Sequence, residues 1–264
     1  VALAEADSAP REMAVAYTRV PDLPTTDDGY DYDAYHEAAD EGSHFLVPLE
    51  VVFRNSVPVG SSLRSRVDPR DVGVDRDGWP DEPVDLPDPL VEFSTKYEEQ
   101  DRYLSRAEAD RIAGRAGVER LEAVAHTVNR VLTQRAESVG FDHEDGKIEC
   151  LYHDGEVRVA DVVGTFDENR YARAGQEMSK EVVRQFYKRE HAGWVEAVSA
   201  AKAEARERSV ADWKSLCAVE PPSLPEDVVR TVSDMYTAGT NAYTETDWFD
   251  APPVDEAVEA VRSL

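Results

Sequence analysis

The segment 146–171, GKIECLYHDGEVRVADVVGTFDENRY, sets Lys147 two residues before Glu149, Asp161 twelve residues after that glutamate, and Arg170 beyond an acidic loop. These are the groups a magnesium–nucleotide site uses. The metal takes hard oxygen ligands from one or two carboxylates and keeps positions for phosphate and water. A neighbouring cation pairs with the phosphates. The apolar/polar alternation on either side of His153-Asp154-Gly155 predicts a β-hairpin. Side chains alternate along a strand, so Lys147 and Glu149 share a face. Asp161 joins them only in one register. A two-residue loop, Asp154-Gly155, sets Glu149 opposite Ala160 and turns Asp161 to the other face. A three-residue loop, Asp154 to Glu156, sets Glu149 opposite Asp161, about 5 Å away at Cβ, which one metal ion can bridge. Gly155 can take the left-handed position such a loop needs. The three-residue register, or a bulge of the same parity, is therefore the expectation.

Acidic residues fill about a fifth of the chain (55 of 264), so Glu149 or Asp161 taken singly reads as a solvated hairpin face. Only the combination points to a site. Against 55 acids stand 29 bases, of which six are lysines and 23 arginines, giving a net charge of −26. Such a surface repels itself at low ionic strength and is screened in concentrated salt, so a halophile's cytoplasmic protein is expected. The balance argues against nonspecific binding to nucleic acid or anionic membranes. The two cysteines, Cys150 and Cys217, form neither a disulfide framework nor a zinc pattern. No apolar run reaches the length of a membrane span, and no signal peptide is visible. The sequence opens at Val1 rather than Met, and a missing N-terminal portion is expected.

The elements that must position these groups follow from pattern. Strands are expected over 11–20 and, rich in Val, Leu and Phe, over 44–55. The acidic stretch 21–42 reads as a solvated loop, Gly60-Ser61-Ser62 as a turn, and the Asp- and Pro-rich 67–90 as an irregular connection. Ser105 with Glu108 forms a capping box that opens a helix, broken near Gly117 and stopped by Gly140. Ser179 opens one long helix to about Arg208, and PPSLPEDVV starts a final one, with Pro225 in its first turn. Strands come mainly first and helices later, which favours an α+β fold over a doubly wound sheet.

Five stretches, in order, resemble the SAICAR synthetase family of purine biosynthesis. They are VPLEVVFRN followed by GSS, LPDPLVEFSTKYEEQD, the Lys147-x-Glu149 strand with Asp161 and Asp167-x-x-Arg170, MSKEVVRQF, and PPSLPEDVV. The resemblance runs from about residue 44 to 245. The family's N-terminal loop containing lysine and glycine has no match here, the first lysine being Lys96, and Gln100 stands where the family usually has His. The resemblance implies an α+β, ATP-grasp-like architecture of two lobes with antiparallel sheets and flanking helices. Residues 1–55 would be the remainder of a nucleotide-binding lobe, and 56–264 a substrate- and metal-binding lobe with C-terminal helices.

The same resemblance implies an ATP-dependent ligase. It would join the carboxylate of the aminoimidazole ribonucleotide CAIR to L-aspartate through an acyl phosphate. Glu149 and Asp161 would hold Mg²⁺. Glu50 and Lys147 would bind ATP, and Lys147 and Asp145 would be catalytic. Arg54, Ser61, Ser62 and Arg170 would bind the ribonucleotide, chiefly its phosphate. Lys96 and Asp101 would lie near the imidazole and the aspartate, and Lys180 and Arg184 would contact substrate. Read without the resemblance, Arg54 could pair with any of many acids, Ser61 and Ser62 are ordinary turn residues, and Lys180 and Arg184 line a solvated helix face. The competing functions are a truncated or split nucleotide-binding subunit without ligase activity, and a small-molecule kinase of related architecture. The partners expected are small molecules only.

Overall fold

In a computed structural model, residues 12, 14–15, 17–26, 29–40, 44–98, 102–161, 163–208, 210 and 212–264 are described. The elements run β1 (Thr25–Thr26), β2 (Gly29–Tyr30), α1 (Tyr32–Asp40), β3 (His44–Val57), β4 (Val84–Thr95), α2 (Arg106–Ala113), α3 (Val118–Ser138), β5 (Asp142–His153), β6 (Glu156–Ala160), β7 (Asn169–Arg173), β8 (Gln176–Glu177), α4 (Glu181–Glu190), α5 (Ala192–Arg208), α6 (Glu226–Thr244) and α7 (Val254–Arg262). This is the expected α+β class with antiparallel pairing. Among the described residues the chain divides into two compact units, residues 12–138 with 142–171, and residues 139–141 with 172–264. The lobe boundary expected at residue 55 falls inside β3, within the first of these.

The first unit is a sheet of order β4-β3-β5-β7, with β6 also pairing with β5. One face carries Val51, Phe53, Phe93 and Ile148 and packs on α1, α2 and α3 through Tyr35, Ala39, Ile112, Leu121 and Ala125, all fully buried or nearly so. β3 is bulged. Leu46 lies opposite Leu151 and Glu50 opposite Glu149, so Val47, Pro48 and Leu49 share the space facing Cys150. A bulge accommodates Pro48, which has no N–H to give a ladder. The capping box is present in both directions, Ser105 accepting from the Glu108 N–H and Glu108 accepting from the Ser105 N–H. The break near Gly117 is a 3-10 turn over Gly114–Ala116.

Three expectations for this unit are corrected. Tyr17–Val20 has no regular structure, while residues 11, 13 and 16 lie outside the described set. The stretch 21–42 is not all loop, because Tyr32, Tyr35 and Ala39 recur on one face of α1 and are buried. The stretch 67–90 is not all irregular, since β4 begins at Val84. Its pairing with β3 shifts between Arg54↔Leu90 and Ser56↔Asp85, and Pro87 and Pro89 fall in that irregularity.

In the other unit the expected long helix is two, α4 ending at Glu190 and α5 starting at Ala192, with the Ser179 hydroxyl accepting from the Glu181 N–H. The final helix expected after PPSLPEDVV is α6, with Pro225 just before it, and α7 packs on it. Met235, Ala238, Ala257 and Val258 are buried in this unit. Arg173 donates to Asp255 at 2.7 Å.

Candidate active site

The face of the sheet opposite the helices is polar. The register Glu50↔Glu149, Val52↔Lys147 and Arg54↔Asp145 puts residues 50, 54, 145, 147 and 149 on this one face. Glu92 of β4, opposite Val52, joins them. Asp145 and Glu149 are buried, with 7% and 8% of their surface exposed, so their partners decide what this face can do.

Each acid has a cation. Arg54 donates from Nε to Glu92 Oε2 at 2.7 Å, from Nη1 to Asp145 Oδ2 at 2.9 Å and from Nη2 to the Tyr103 hydroxyl at 3.0 Å. Arg170 reaches the same Asp145 oxygen at 2.7 Å. Arg66 pairs with the other Glu92 oxygen at 2.8 Å and lies over the Tyr103 ring at 3.4 Å. Lys147 bonds Glu50 and lies 3.2 Å from Glu168, and Lys96 bonds Glu149. Five acids thus face five bases in a chain whose net charge is −26. This locus is enriched in cations relative to the rest of the molecule.

The electrostatics keep these groups charged. Burial pushes Lys147 down, but Glu50 and then Glu168 outweigh it, so its ammonium titrates above the ordinary lysine range. Burial likewise opposes the Arg54 charge, and Asp145 and Glu92 overcome it. Cys150, on the core side, is pushed up to about 12 by burial and then by Glu149, which makes it an inert thiol.

The hairpin register is the two-residue one. Glu149 lies opposite Ala160 and His153 opposite Glu156. Asp154 (φ 50°) and Gly155 (φ 88°) both have positive φ, the form of a type I′ turn. The three-residue expectation was wrong, because Asp-Gly suits that tight turn directly. Asp161 nevertheless does not follow strand alternation. β6 ends at Ala160, and Asp161 adopts φ 60° in the left-handed region. Glu149 and Asp161 both act on one phenol: Tyr97 is pushed up to about 12 by burial, then by Glu149, then by Asp161.

A deeper polar layer supports this face. His143 Nε2 lies 3.0 Å from Asn169 Oδ1 and its Nδ1 lies 2.8 Å from the Thr133 hydroxyl. The His143 ring stacks on Tyr171 at 4.9 Å. Asn55 and Asn129 exchange amide bonds at 3.0 and 2.6 Å beside it. Burial holds His143 below the ordinary histidine range, so it is neutral, with Nε2 donating to Asn169.

Of the other expected residues, the Ser61 side chain accepts from the Leu63 N–H at 3.3 Å and caps a short 3-10 turn, and Ser62 is exposed. Asp101 lies outside the described residues. Lys180 and Arg184 belong to the other unit, where Arg184 pairs with Glu181 at 3.3 Å. Sequence reasoning missed Arg66, Glu92, Tyr97, Tyr103, Glu168 and the His143–Asn169 pair. Glu168 and Asn169 sit inside the Asp167-x-x-Arg170 stretch, which was the one available signal.

A family model for SAICAR synthetase matches residues 43–201, which include this whole face. The chain is a member of the SAICAR synthetase family. A protein of Archaeoglobus fulgidus is 36% identical over 229 residues, 84% of this chain and 66% of its own length. The phosphoribosylaminoimidazole-succinocarboxamide synthase of Thermoplasma acidophilum is 32% identical over 232 residues, 82% of this chain and 74% of that protein. The chain thus spans just under two thirds of the first relative and about three quarters of the second. In fold it is similar to the Saccharomyces cerevisiae SAICAR synthase solved with SAICAR, at TM-score 0.53 and 19% identity over 87% of this chain and 76% of that one. Within the matched segment, Lys147 and Glu149 lie on β5, and Glu50 and Arg54 on β3.

Proposed function

We propose that this chain is the ligase that joins the CAIR carboxylate to the amine of L-aspartate with ATP, forming SAICAR. The observation that carries the reading is the charge-balanced polar face of β3 and β5 in a strongly acidic member of this family. A carboxylate is a poor acyl donor because its leaving group would be oxide. Transfer of the γ-phosphoryl gives an acyl phosphate, the aspartate amine attacks it, and phosphate leaves. The protein's part is positioning and neutralising phosphoryl charge.

The residues present fit Mg²⁺. Glu149 and Asp161 are hard oxygen donors that both bear on Tyr97, and two carboxylates are what this metal takes from a protein beside phosphate. Bound there, the ion supplies charge neutralisation for the phosphates of ATP. Lys147, kept protonated, binds the triphosphate and gives up Glu50 to do so. Lys96, freed from Glu149, turns to the substrate carboxylates, where Asp101 is also assigned. Arg54 and Arg170, already converging on Asp145, bind the ribonucleotide phosphate with the Ser61-Ser62 turn, since guanidinium forks match phosphate oxygens. Asp145 holds the two guanidinia in place and, with Lys147, is assigned the catalytic role. Lys180 and Arg184 are assigned to substrate contact.

We further infer a cytoplasmic protein of a salt-rich cell. Among the described residues no helix is long and apolar enough to cross a membrane. The test is ADP release coupled to SAICAR absorbance with CAIR, L-aspartate and Mg-ATP in molar salt. ADP release that requires both CAIR and aspartate supports the ligase. ATP binding without turnover supports the noncatalytic subunit instead.

A further inference from the structure

We propose that His44, His153 and Asp154 form a binding site for one divalent transition-metal ion of the zinc, cobalt or nickel class. The site is separate from the carboxylates assigned to Mg²⁺. One ligand atom from each residue lies within 4.8 Å of the other two. His44 Nε2 is 2.9 Å from Asp154 Oδ1, and His153 Nδ1 is 3.5 Å from Asp154 Oδ2. A tetrahedral ion with bonds of about 2.0–2.1 Å needs ligand atoms about 3.3 Å apart, and each histidine already has one Asp154 oxygen near that distance. His153 Nδ1 is shielded from solvent and has no hydrogen-bond partner. A coordinate bond would satisfy it.

The cluster arises from the fold. The β3 bulge at Pro48 leaves His44 directly opposite His153 across the β3–β5 ladder, and the two rings stack at 3.7 Å. The type I′ turn then delivers Asp154 beside them, and Arg120 of α3 fixes that turn by donating to the Gly155 carbonyl at 2.9 Å. The parallel rings must splay to aim both nitrogens at one ion. His44 opens its strand and is 38% exposed, which leaves room for that motion. Arg158 is the nearby opposing charge, and Glu156 pairs with it at 2.9 Å.

Two imidazoles select borderline metals over Mg²⁺, and a fourth position stays open to water. His153 lies four residues beyond Glu149 on β5, about 13 Å along the strand. Occupancy would tie the start of β3 to a turn some 110 residues later in sequence.

The experiment titrates Co²⁺ into the chelator-treated chain by calorimetry, with excess Mg²⁺ present to occupy oxygen-only sites. Parent protein is compared with His44→Gln, His153→Gln and Asp154→Asn. One Co²⁺ per chain is expected, weakened at least about tenfold in each variant. Zn²⁺ should raise the melting temperature of the parent and not of the variants. Equal Co²⁺ affinity in parent and variants, or displacement of Co²⁺ by Mg²⁺, would overturn the proposal. Imidazole ¹⁵N resonances of the parent are read as well, independently of any variant. Zn²⁺ should shift those of His44 and His153, and unmoved resonances also overturn it. None of these readouts depends on ligase activity.

Discussion

Replacing Gly146 by alanine should cost about 4 kcal/mol, and the structure says why. Gly146 lies in β5 between Asp145 and Lys147. An added Cβ would stand 1.9 Å from Asn169 Oδ1, 2.7 Å from Asn169 Cγ and 2.6 Å from Phe53 Cε2. Phe53 is fully buried and Asn169 is 2% exposed, so neither has open space to enter. Asn169 must swing away, and His143 Nε2 then loses its acceptor. Overpacking of this kind costs about 1–3 kcal/mol. A buried N–H left without a partner costs about 1–3 kcal/mol more. For a protein of this size the sum lowers Tm by roughly 8–16 °C. Urea and thermal melts followed by circular dichroism read both numbers. Asn169→Ala removes the obstructing amide, so the two substitutions should not add. The double variant should be about 1–3 kcal/mol better than additivity. A Gly146→Ala cost below about 1 kcal/mol, or strict additivity, would refute the assignment of Asn169 as the group that forbids a side chain here.

Arg170→Lys should raise the KM for CAIR with a smaller change in kcat, because an ammonium cannot reproduce a guanidinium fork; unchanged CAIR saturation would remove Arg170 from the site. ATP should bind more tightly with Mg²⁺ than without it in calorimetry, and Glu149→Gln should abolish the difference; equal affinities in the parent would remove the metal role. Melting temperature should rise with salt, since screening relieves the repulsion of a −26 chain; a flat or falling series contradicts the salt-rich habitat. Glu108 should titrate at about 2 rather than 4.5, held down first by its bonds from Ser105 and then by Arg102. Its depressed pKa means the capping contribution is full above the ordinary carboxylate range and is lost as pH falls toward 2. Carboxyl-carbon NMR titration reads this directly, and Ser105→Ala should raise the value.

Local signals were legible in the sequence where one residue pair decides the structure. Ser105 and Glu108 announced a helix start, and Gly117 and Gly140 its break and end. The same signals failed where composition masked periodicity. Tyr32, Tyr35 and Ala39 sit on one helical face, but the surrounding acids made the stretch read as loop. Pro87 and Pro89 hid β4, although an edge strand tolerates them at an irregularity. At the hairpin, the demand for a shared metal overrode the Asp-Gly turn signal, and no pattern foretold the positive φ at Asp161. Glu92 reaches Arg54 through pairing between strands whose residues lie 38 apart in sequence, which only the register of β3 with β4 determines. His44 and His153 meet for the same reason.

The prolines in β4 have one more effect. β4 ends the strand order of its sheet, and its outer side would offer a ladder to any passing extended chain. Near Arg54 that side is broken by Pro87 and Pro89, flanked by Asp85 and Asp88, so a visiting strand finds missing donors and like charge. Farther along, residues 102–104 already take the vacant groups. The Thr95 N–H donates to the Arg102 carbonyl and the Leu104 N–H to the Phe93 carbonyl, both at 3.0 Å. Along this border the fold resists strand addition and the fibrous self-association that follows from it.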